Sequence, residues 1–280
     1  MVGHGKSGGI TERSKMRNKI ELIEGQYGAY TSDKPYIATI CGKQSGKTFL
    51  GALWTGKQLQ EKPGVAGVII APTYKILRQA TLRTFFEVFP EYKRYWKKGE
   101  SVMEVPCGTD EDGQPLMSTI YIRSVDDPDA IEGITAGWAW CDEPGLYKRE
   151  VYMKIRTRVA AKNGQVMFTS SPYVMNWFYH DLYMPWKTGQ DDDVAVFSWK
   201  TIDNPVFDNE RGRKFIESER KRLSPEEFAR EYEGQFTKMH GLIWDLPADQ
   251  VVRDSMTMEK ITKYPDYVVA GVDWGFNNPA

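Results

Sequence analysis

The sequence predicts an α/β fold in which helices flank a central, mostly parallel sheet. Continuous apolar runs at residues 65–71 and 134–141 are typical of strands buried on both faces, as in parallel sheets. Helix-forming segments separate these runs along the chain, which is the alternation that α/β folds require. A third strand, at residues 37–40, leads directly into a polar, glycine-containing turn and then into a helix at residues 48–59. That order of strand, turn and helix is typical of a site that binds phosphate.

Composition predicts a globular, non-membrane protein. Of the 280 residues, 41% are apolar, which is enough for a substantial core. Thirty-seven basic and 38 acidic residues leave a net charge of −1, so any contact with nucleic acid depends on a local patch. The cysteines Cys41, Cys107 and Cys141 lack the spacing of a zinc site and indicate a reducing compartment. No apolar run approaches the roughly 18 residues of a membrane span, and the N-terminus lacks the apolar core of a signal peptide.

Residues 41–48, with the sequence CGKQSGKT, form the predicted phosphate loop. They match the pattern G-x-x-x-x-G-K-[ST], except that Cys41 stands at the first glycine position. Backbone N–H groups of such a loop surround a polyphosphate, and the positive end of the following helix points at it. We expect Lys47 to contact the β and γ phosphates and Thr48 to hold Mg²⁺. The other nucleotide-binding residues predicted in the loop are Gly42, Gln44, Ser45 and Gly46. A plain surface turn is the alternative, but the flanking strand and helix favour the phosphate loop.

Asp142 and Glu143 directly follow the apolar run at residues 134–141. Ligands of open α/β sheets bind at the carboxyl ends of the strands, so both acids are expected where a ligand would lie. A buried carboxylate is costly unless a cation or hydrogen-bond donors compensate its charge. We therefore predict that Asp142 binds Mg²⁺ and that Glu143 polarises the attacking water. In the alternative interpretation, Asp142 only caps the turn that follows.

Three hydroxyl residues, Thr169, Ser170 and Ser171, end another predicted strand at residues 165–168. Beside the phosphate site, such hydroxyls could sense the γ-phosphate and relay its loss to the rest of the chain. The same residues, followed by Pro172, also fit an ordinary helix start. The chemistry of these side chains alone leaves both interpretations open.

The N-terminal region carries two further signals. Residues 1–19 are rich in glycine and basic residues and are expected to form a flexible arm. A short helix from about residue 19 is predicted to lead to Gln26. Many nucleotide motors place a glutamine in such a lead-in, where it reads the adenine edge. A surface polar residue is the alternative for this glutamine.

A β-hairpin and a charged helical region complete the predicted domain. Residues 99–123 alternate in polarity around a turn rich in aspartate and glycine, which predicts a hairpin inserted into the α/β core. The basic run at residues 211–222 is either a solvated helix face or a contact surface for DNA or a neighbouring subunit. Ser224 followed by Pro225 is typical of a helix start.

The domain boundaries follow from these segments. A phosphate-loop domain is predicted at residues 20–240, and an irregular linker at residues 241–265. An apolar strand at residues 266–272 then ends at Asp273. We interpret residues 266–280 as the start of a second domain.

Together these segments resemble the large terminase subunit of tailed bacteriophages. The likeness covers nearly the entire chain. Many ATPases share the phosphate loop and the acidic pair, so the order of the motifs and the last two segments are the most selective features. The segments that carry the resemblance are Gln26, CGKQSGKT (41–48), VIIAPTY (68–74), WAWCDE (138–143), TSSPYVMNWFY (169–179) and FAREYEGQF (228–236).

The resemblance implies a RecA-like P-loop ATPase core followed by an RNase H-like nuclease domain that cuts concatemeric DNA. In the family a cluster of acids binds the nuclease metals, Mg²⁺ or Mn²⁺, and Asp273 looks like the first of these acids. The others are expected beyond residue 280, so no nuclease activity is expected of this chain alone.

The resemblance also implies partners and a location. The family uses ATP to translocate double-stranded DNA into the procapsid, acting as a ring of identical subunits with the portal protein and the small terminase subunit. The expected location is the cytoplasm of the infected bacterial host, and the mature virion is expected to lack the protein.

Two positions depart from the family pattern. Lys43 stands where the family often places an arginine in the phosphate loop, and it is the expected replacement in catalysis. Glu132 stands where some members carry an arginine finger. Lysine cannot reproduce the forked contact of arginine, and glutamate would oppose it. The candidates for the finger are Arg123 and Arg156.

Two other functions compete with the packaging motor. A helicase-like ATPase would share the acidic pair, but helicases carry a second RecA-like domain, and the sequence contains no second phosphate loop in strand context. A nucleotide-gated assembly module would bind ATP to order a ring and would hardly hydrolyse it.

Overall fold

The computed structural model describes residues 20–127 and 131–237. The predicted arm at residues 1–19, the linker at 241–265 and the strand that ends at Asp273 lie outside these residues. Within the described residues the strands are β1 Tyr36–Ile40, β2 Gly67–Ala71, β3 Trp96–Lys97, β4 Val102–Thr109, β5 Pro115–Ser124, β6 Trp138–Asp142, β7 Gln165–Ser170 and β8 Val194–Phe197. The α-helices there are α1 Glu24–Thr31, α2 Lys47–Glu61, α3 Tyr74–Ile76, α4 Leu82–Val88, α5 Arg149–Ala160, α6 Met184–Lys187, α7 Glu210–Arg222 and α8 Pro225–Glu233.

The described strands form one sheet with the order β3-β4-β5-β2-β6-β7-β1-β8. The strands from β5 to β8 in this order run parallel, which confirms the predicted α/β fold. The register pairs Ile40 of β1 with Ser170 of β7, and Asp142 of β6 with Thr169 of β7. The loop after β1 and the acidic pair at the end of β6 therefore lie at the same edge of the sheet, on either side of β7.

The predicted hairpin is formed by β4 and β5, which pair antiparallel. Its turn is closed by Asp110, whose Oδ1 accepts hydrogen bonds from the backbone N–H groups of Asp112 and Gln114. β5 also pairs in parallel with β2. The hairpin therefore extends the main sheet instead of forming a separate insertion, a role that its alternating polarity did not indicate.

Apolar side chains alternate between the two faces of the sheet, and each face is covered by helices. On one face Leu50 and Trp54 of α2 and Phe85 of α4 belong to a core cluster with Trp138 and Trp140 of β6. On the other face α5 packs over a separate cluster, whose members include Tyr152, Phe168, Trp177 and Phe178. Burial on both faces explains why these strands read as continuous apolar runs in the sequence.

Helix α2 packs closely against β6 at Gly51. A Cβ atom at this position would lie within 3.0 Å of the indole of Trp140. Trp140 is fully buried, and its Nε1 donates a hydrogen bond to Thr169 Oγ1 at 2.9 Å. The absence of a side chain at residue 51 thus sets the distance between the phosphate-loop helix and the strand that carries the acids.

The first helix differs from the sequence prediction, and the helix after β2 contains a π-helical turn. The first helix begins at Glu24 and contains Gln26, whereas the sequence predicted a helix that leads up to this residue. It begins there because Gln26 Oε1 accepts a hydrogen bond from the backbone N–H of Ile23 at 3.3 Å. The helix after β2 is not uniformly α-helical, since Leu77–Thr81 forms a π-helical turn between α3 and α4.

The region after β8 packs around a small third cluster of Phe207, Ile216 and Phe228. The predicted start of α8 is confirmed, because Ser224 Oγ accepts from the N–H of Glu227 while the Glu227 carboxylate accepts from the N–H of Ser224. None of the helices in the described part of the chain is long and apolar enough to cross a membrane.

Candidate active site

The predicted phosphate loop connects β1 to α2 and is fixed by the segment after β8. Its carbonyl groups accept three side-chain hydrogen bonds, from Thr201 to Lys43 at 2.7 Å, from Asn204 to Gln44 at 2.7 Å and from Trp199 to Ser45 at 2.8 Å. Gln44 and Gly46 adopt left-handed backbone conformations, with φ of 55° and 86°. Glycine accepts such a φ freely, whereas for Gln44 it is strained and must be held by the surroundings.

The loop leaves its N–H groups available to an anion. Within the described residues, the backbone N–H groups of Gln44, Ser45 and Gly46 donate to no backbone carbonyl outside regular elements. The Ser45 hydroxyl is buried and has no hydrogen-bond partner there. A cavity of about 240 Å³ lies against the loop and the start of α2, and Thr84 of α4 also lines it. Unpaired donors around a cavity are the arrangement that a phosphate requires.

Lys43 points away from this cavity. Its ammonium group pairs with the carboxylate of Glu231 on α8, and its backbone N–H donates to Glu231 O at 2.7 Å. At the neighbouring position a Cβ would lie within 3.0 Å of Tyr232 O, so Gly42 is needed for the close approach of α8. The structure therefore connects Lys43 to α8, and phosphate contact by this lysine stays a prediction.

Thr48 and Asp142 meet at the edge of the sheet, with 3.3 Å between Thr48 Oγ1 and Asp142 Oδ1. Two other threonines also donate hydrogen bonds to the same carboxylate. Thr169 donates to Oδ1 at 2.8 Å, and Thr81 donates to Oδ2 at 2.7 Å. Both carboxylate oxygens are thereby fixed in the side-chain orientation that faces the phosphate loop.

Asp142 is almost completely buried, and burial is the largest cause that raises its pKa, to about 6. The charge of Glu143 raises the pKa further, whereas the hydrogen bonds from Thr81 and Thr169 and the charge of Lys47 lower it. A cation beside this carboxylate would favour its ionised form.

Glu143 lies beside Lys47, with 3.1 Å between Glu143 Oε1 and Lys47 Nζ. Its other oxygen, Oε2, accepts from the backbone N–H of Ser171 at 3.1 Å. Glu143 has a φ of 54°, a left-handed conformation that is unusual for a residue with a side chain. Such strain is concentrated at functional sites.

Tyr173 also reaches Glu143. Burial, followed by the charge of Glu143 and the hydrogen bond between the two side chains, raises the pKa of Tyr173 well above its usual range. A neutral phenol is therefore kept as a donor to the carboxylate.

The three hydroxyl residues predicted to relay the loss of the γ-phosphate, Thr169, Ser170 and Ser171, all contact the acidic pair or the turn after it. Thr169 donates to Asp142, the N–H of Ser171 donates to Glu143, and Ser170 Oγ accepts from the N–H of Gly145 at 3.3 Å. The segment after β7 therefore contacts both acids and the turn that follows them. No helix begins at these residues, so the alternative of an ordinary helix start is not the structure that they adopt.

Gln26 contacts the backbone of the phosphate loop at Gly46. Its Nε2 lies 3.4 Å from Gly46 O, and its Oε1 accepts from the N–H of Ile23 at 3.3 Å. The side chain is buried. Both ends of this amide are therefore engaged with backbone groups.

Residues 40–248 match the family described as terminase large subunit, T4likevirus-type, N-terminal. This match spans well over half of the chain. The chain belongs to the terminase large subunit family.

Two curated relatives are the large terminase subunits of Thermus phage G20c and Thermus virus P23-45. Each is 25% identical to this chain over 167 residues, which cover 55% of this chain and 34% of the relative. The chain thus spans about a third of the length of these large terminases.

Solved structures of large terminases share the fold. The ATPase domain of the Thermus phage P74-26 protein has a TM-score of 0.63 at 20% identity, covering 78% of this chain and 94% of its own. A large terminase from another thermophilic bacteriophage has a TM-score of 0.65 at 16% identity, covering 81% of this chain and 56% of its own. The second of these proteins has also been solved in complex with ADP and with ATP-gamma-S.

Neither candidate arginine finger lies at the phosphate loop of its own terminase chain. Arg156 on α5 donates to the hydroxyl of Tyr36 at 3.2 Å, and Tyr36 begins β1 at the sheet edge opposite the loop. Arg123 pairs in register with Ile70, near the sheet edge at which the phosphate loop lies. Its strand, β5, is separated from β6 by β2. The Nη1 atom of Arg123 donates to Ser101 O at 2.9 Å.

The terminase sequence motifs did not reveal Thr81 as a site residue. It lies on the π-helical turn, 61 positions before Asp142, and is fully buried. A signal was nevertheless present, because Leu77, Thr81 and Phe85 form a stripe on one helix face in which a hydroxyl interrupts apolar residues. Tyr173 lies in the segment 169–179, but its role as a partner of Glu143 was also not predicted from the sequence.

Replacing Thr81 with valine should weaken the magnesium response of the site. Valine keeps the shape of threonine but removes the hydrogen bond to Asp142 Oδ2, so the carboxylate is no longer held towards Thr48. We expect Thr81→Val to raise the Mg²⁺ concentration for half-maximal ATP hydrolysis by about tenfold. Thr81→Ser, which keeps the hydroxyl, is the matched control and should stay near the wild-type value. Equal Mg²⁺ dependence of both variants would contradict a positioning role for Thr81.

Proposed function

We propose that this chain is the ATPase part of a viral DNA-packaging motor, which hydrolyses ATP to move double-stranded DNA into a procapsid. The observation that carries the proposal is the convergence of Thr48 with Asp142, and of Lys47 with Glu143, at one edge of the sheet. These pairs join residues that lie about a hundred positions apart in the sequence, and a phosphoryl-transfer site requires this combination of groups. Family membership and the fold shared with large terminases support it.

The residues at this site fit a nucleoside triphosphate. Within the described part of the chain, the N–H groups of Gln44, Ser45 and Gly46 and the hydroxyl of Ser45 have no acceptor, and the ammonium of Lys47, which pairs with Glu143, adds a positive charge beside them. Gly46 and α2 direct the positive end of a helix of 15 residues towards the same cavity. The solved structures of a large terminase from a thermophilic bacteriophage with ADP and with ATP-gamma-S are consistent with this use of the fold.

The residues also fit a magnesium ion. Thr48 Oγ1 and Asp142 Oδ1 form a pair of hard oxygen ligands, and Mg²⁺ commonly takes its remaining ligands from water and phosphate. When bound, the ion would neutralise charge on the phosphate oxygens. The donors Thr81 and Thr169 orient the carboxylate for this contact.

Hydrolysis needs a positioned carboxylate and a phosphate-binding cation, and the chain supplies both. Lys47 binds the phosphates, and Glu143 accepts a hydrogen bond from the attacking water and draws off its proton. The Ser171 N–H and Tyr173 hold the carboxylate of Glu143 in place. Thr169 contacts Asp142 and Ser171 contacts Glu143, so a movement of either carboxylate on hydrolysis would shift the end of β7. In this way residues 169–171 relay the state of the nucleotide to the rest of the domain.

The remaining roles concern subunits and domains beyond the described residues. We propose that the full protein forms a ring of identical subunits and works with the portal protein and the small terminase subunit. In such a ring Arg123 or Arg156 would act on the nucleotide of a neighbouring subunit. Lys43, which pairs with Glu231, would reach phosphate only when that ion pair opens.

The domain plan is likewise proposed, with residues 20–240 as the ATPase domain. A nuclease domain that begins near Asp273 would use its own Mg²⁺ or Mn²⁺ ions in the full-length protein. The proposed location is the cytoplasm of an infected bacterium, with the protein absent from the mature virion.

Removing the ammonium of Lys47 tests the phosphate site itself. We expect Lys47→Ala to weaken the binding of ATP by at least about tenfold, because a charged hydrogen bond to phosphate contributes about 1.5–3 kcal/mol. Calorimetric titration with ATP and Mg²⁺ measures the effect. Lys57→Ala removes a lysine of the same helix that lies outside the loop, and this control should bind ATP normally. Unchanged ATP affinity of Lys47→Ala would refute the proposed site.

A further inference from the structure

The left-handed backbone of Glu143 needs support from its surroundings. Its φ of 54° and ψ of 49° are unfavourable for a residue with a side chain, and such a conformation persists where neighbouring contacts determine it. A short 3₁₀ turn, Pro144–Leu146, follows, and the N–H of Leu146 donates to Glu143 O at 3.1 Å. We call residues 143–147 the acidic turn. The direction of the Glu143 carboxylate depends on what fixes this turn.

The peptide bond between Asp142 and Glu143 is hydrogen-bonded on both sides. Its N–H, which belongs to Glu143, donates to Thr169 O at 2.7 Å. Its carbonyl, which belongs to Asp142, accepts from the hydroxyl of Tyr147 at 2.8 Å. A rotation of this peptide plane changes the φ of Glu143 and would break both hydrogen bonds. These two contacts therefore hold the left-handed conformation.

Tyr147 is itself firmly held. Its side chain is buried, and its hydroxyl also lies 2.9 Å from Ile70 O, so that one phenol connects the ends of β6 and β2. Its backbone N–H donates to Pro144 O at 2.9 Å, and its carbonyl accepts from the indole of Trp177 at 2.7 Å. Burial raises the pKa of Tyr147 well above its usual range, so the hydroxyl keeps the proton that it donates.

Two consecutive residues after β7, Asn176 and Trp177, clamp the acidic turn. Trp177 is buried and stacks on Tyr152, with 4.7 Å between the ring centroids and 18° between the ring planes. This packing fixes the indole whose N–H holds Tyr147. Asn176 donates from its side-chain amide to Gly145 O at 2.7 Å. The turn that carries the acid is thus joined at two points to a rigid part of the core.

We propose that Tyr147 is a positioning residue that holds Glu143 in the conformation in which its carboxylate faces Lys47, and that Trp177 fixes Tyr147 for this task. Without the phenol hydroxyl the carbonyl of Asp142 loses its donor and the peptide plane can rotate. The carboxylate would then leave the place from which it accepts a proton from water. This inference rests on the proposed function, because it assumes that Glu143 is the base.

Tyr147→Phe keeps the buried ring and removes the hydroxyl. We expect kcat for ATP hydrolysis to fall by about 10- to 100-fold, the loss typical of a catalytic group displaced by about 1 Å. The KM for ATP and the number of ATP molecules bound per chain, measured by calorimetry, should stay at the wild-type values, because Lys47 and the phosphate loop are unchanged. A fall in kcat without a change in binding separates a displaced base from partial unfolding.

Tyr152→Phe is the matched control. It removes the hydroxyl of another buried tyrosine and keeps the ring that stacks on Trp177, so it should hydrolyse ATP at the wild-type rate. Trp177→Phe removes the indole N–H that holds Tyr147 and should give a smaller fall in kcat in the same direction. This second variant keeps the inference testable if Tyr147→Phe fails to fold.

The decisive comparison repeats Tyr147→Phe in a chain that already carries Glu143→Gln. A residue that acts through the Glu143 carboxylate should cause no further loss of the residual hydrolysis there. An equal loss in both chains would overturn the inference, because it would show a general structural role. Wild-type kcat in both Tyr147→Phe and Trp177→Phe would overturn it as well. Wild-type hydrolysis by Glu143→Gln alone is a separate result, which would refute the proposed base and the positioning role with it.

Discussion

Glu143→Gln is expected to reduce ATP hydrolysis by about 10²- to 10⁴-fold, the range typical of losing a general base. Glutamine has the size of glutamate and can still accept from the Ser171 N–H, so the local structure should persist. It cannot take a proton from water. ATP binding should be retained or become slightly tighter, because Lys47 no longer has an anionic partner at 3.1 Å that competes with phosphate. Steady-state hydrolysis and calorimetric binding of ATP, both with Mg²⁺, measure the two effects.

The matched control is Glu150→Gln, which removes an exposed carboxylate from the first turn of α5. It should hydrolyse ATP at the wild-type rate. A Glu143→Gln variant that also hydrolyses at the wild-type rate would exclude Glu143 as the base. A wild-type chain with little turnover, even with double-stranded DNA, would favour a nucleotide-gated assembly module over a motor.

Gly51→Ala is expected to destabilise the fold, although alanine is the better helix former by about 1 kcal/mol. The added methyl group would lie within 3.0 Å of Trp140, which is buried and held by its hydrogen bond to Thr169. Overpacking a rigid core typically costs about 1–3 kcal/mol, and a Cβ 2.2 Å from the Trp140 ring puts this substitution in the upper part of that range, above the gain in helix propensity. We expect a net decrease of about 1–2 kcal/mol in the free energy of unfolding, measured by urea denaturation.

The same substitution should lower ATP hydrolysis, because the strain falls on the path from Trp140 through Thr169 to Asp142. Gly99→Ala is a suitable control, since a Cβ there would meet nothing within 4 Å. That control should keep the stability of the wild type within about 0.5 kcal/mol. If Gly51→Ala proves as stable as the wild type, the close contact between α2 and β6 does not constrain the site.

The central strands, the phosphate loop and the acidic pair Asp142 and Glu143 could be predicted because their sequence signals are local. A strand buried on both faces reads as an unbroken apolar run, as at residues 65–71, and a phosphate loop needs a fixed order of glycine, lysine and threonine. Parallel strands then bring their carboxyl ends to one edge, which explains why Thr48 and Asp142 meet.

The remaining features depend on contacts between distant segments. The apolar stripe around Thr81 indicates that this residue is buried, but its contact with Asp142 exists only because the helix after β2 packs beside β6, which no local pattern reports. The Tyr173 contact with Glu143 and the burial of Gln26 likewise depend on how loops fold back on the sheet. The hairpin strand β5 has one partner on each side, and its alternating polarity indicated only the antiparallel one.

The most direct test of the account is to locate the metal in a crystal of Glu143→Gln with ATP and Mn²⁺ in place of Mg²⁺, using anomalous scattering from manganese. We predict one strong peak that contacts both Thr48 Oγ1 and Asp142, with the triphosphate in the loop at Lys47. A peak bound elsewhere, with Asp142 still held only by its threonine partners, would contradict the account.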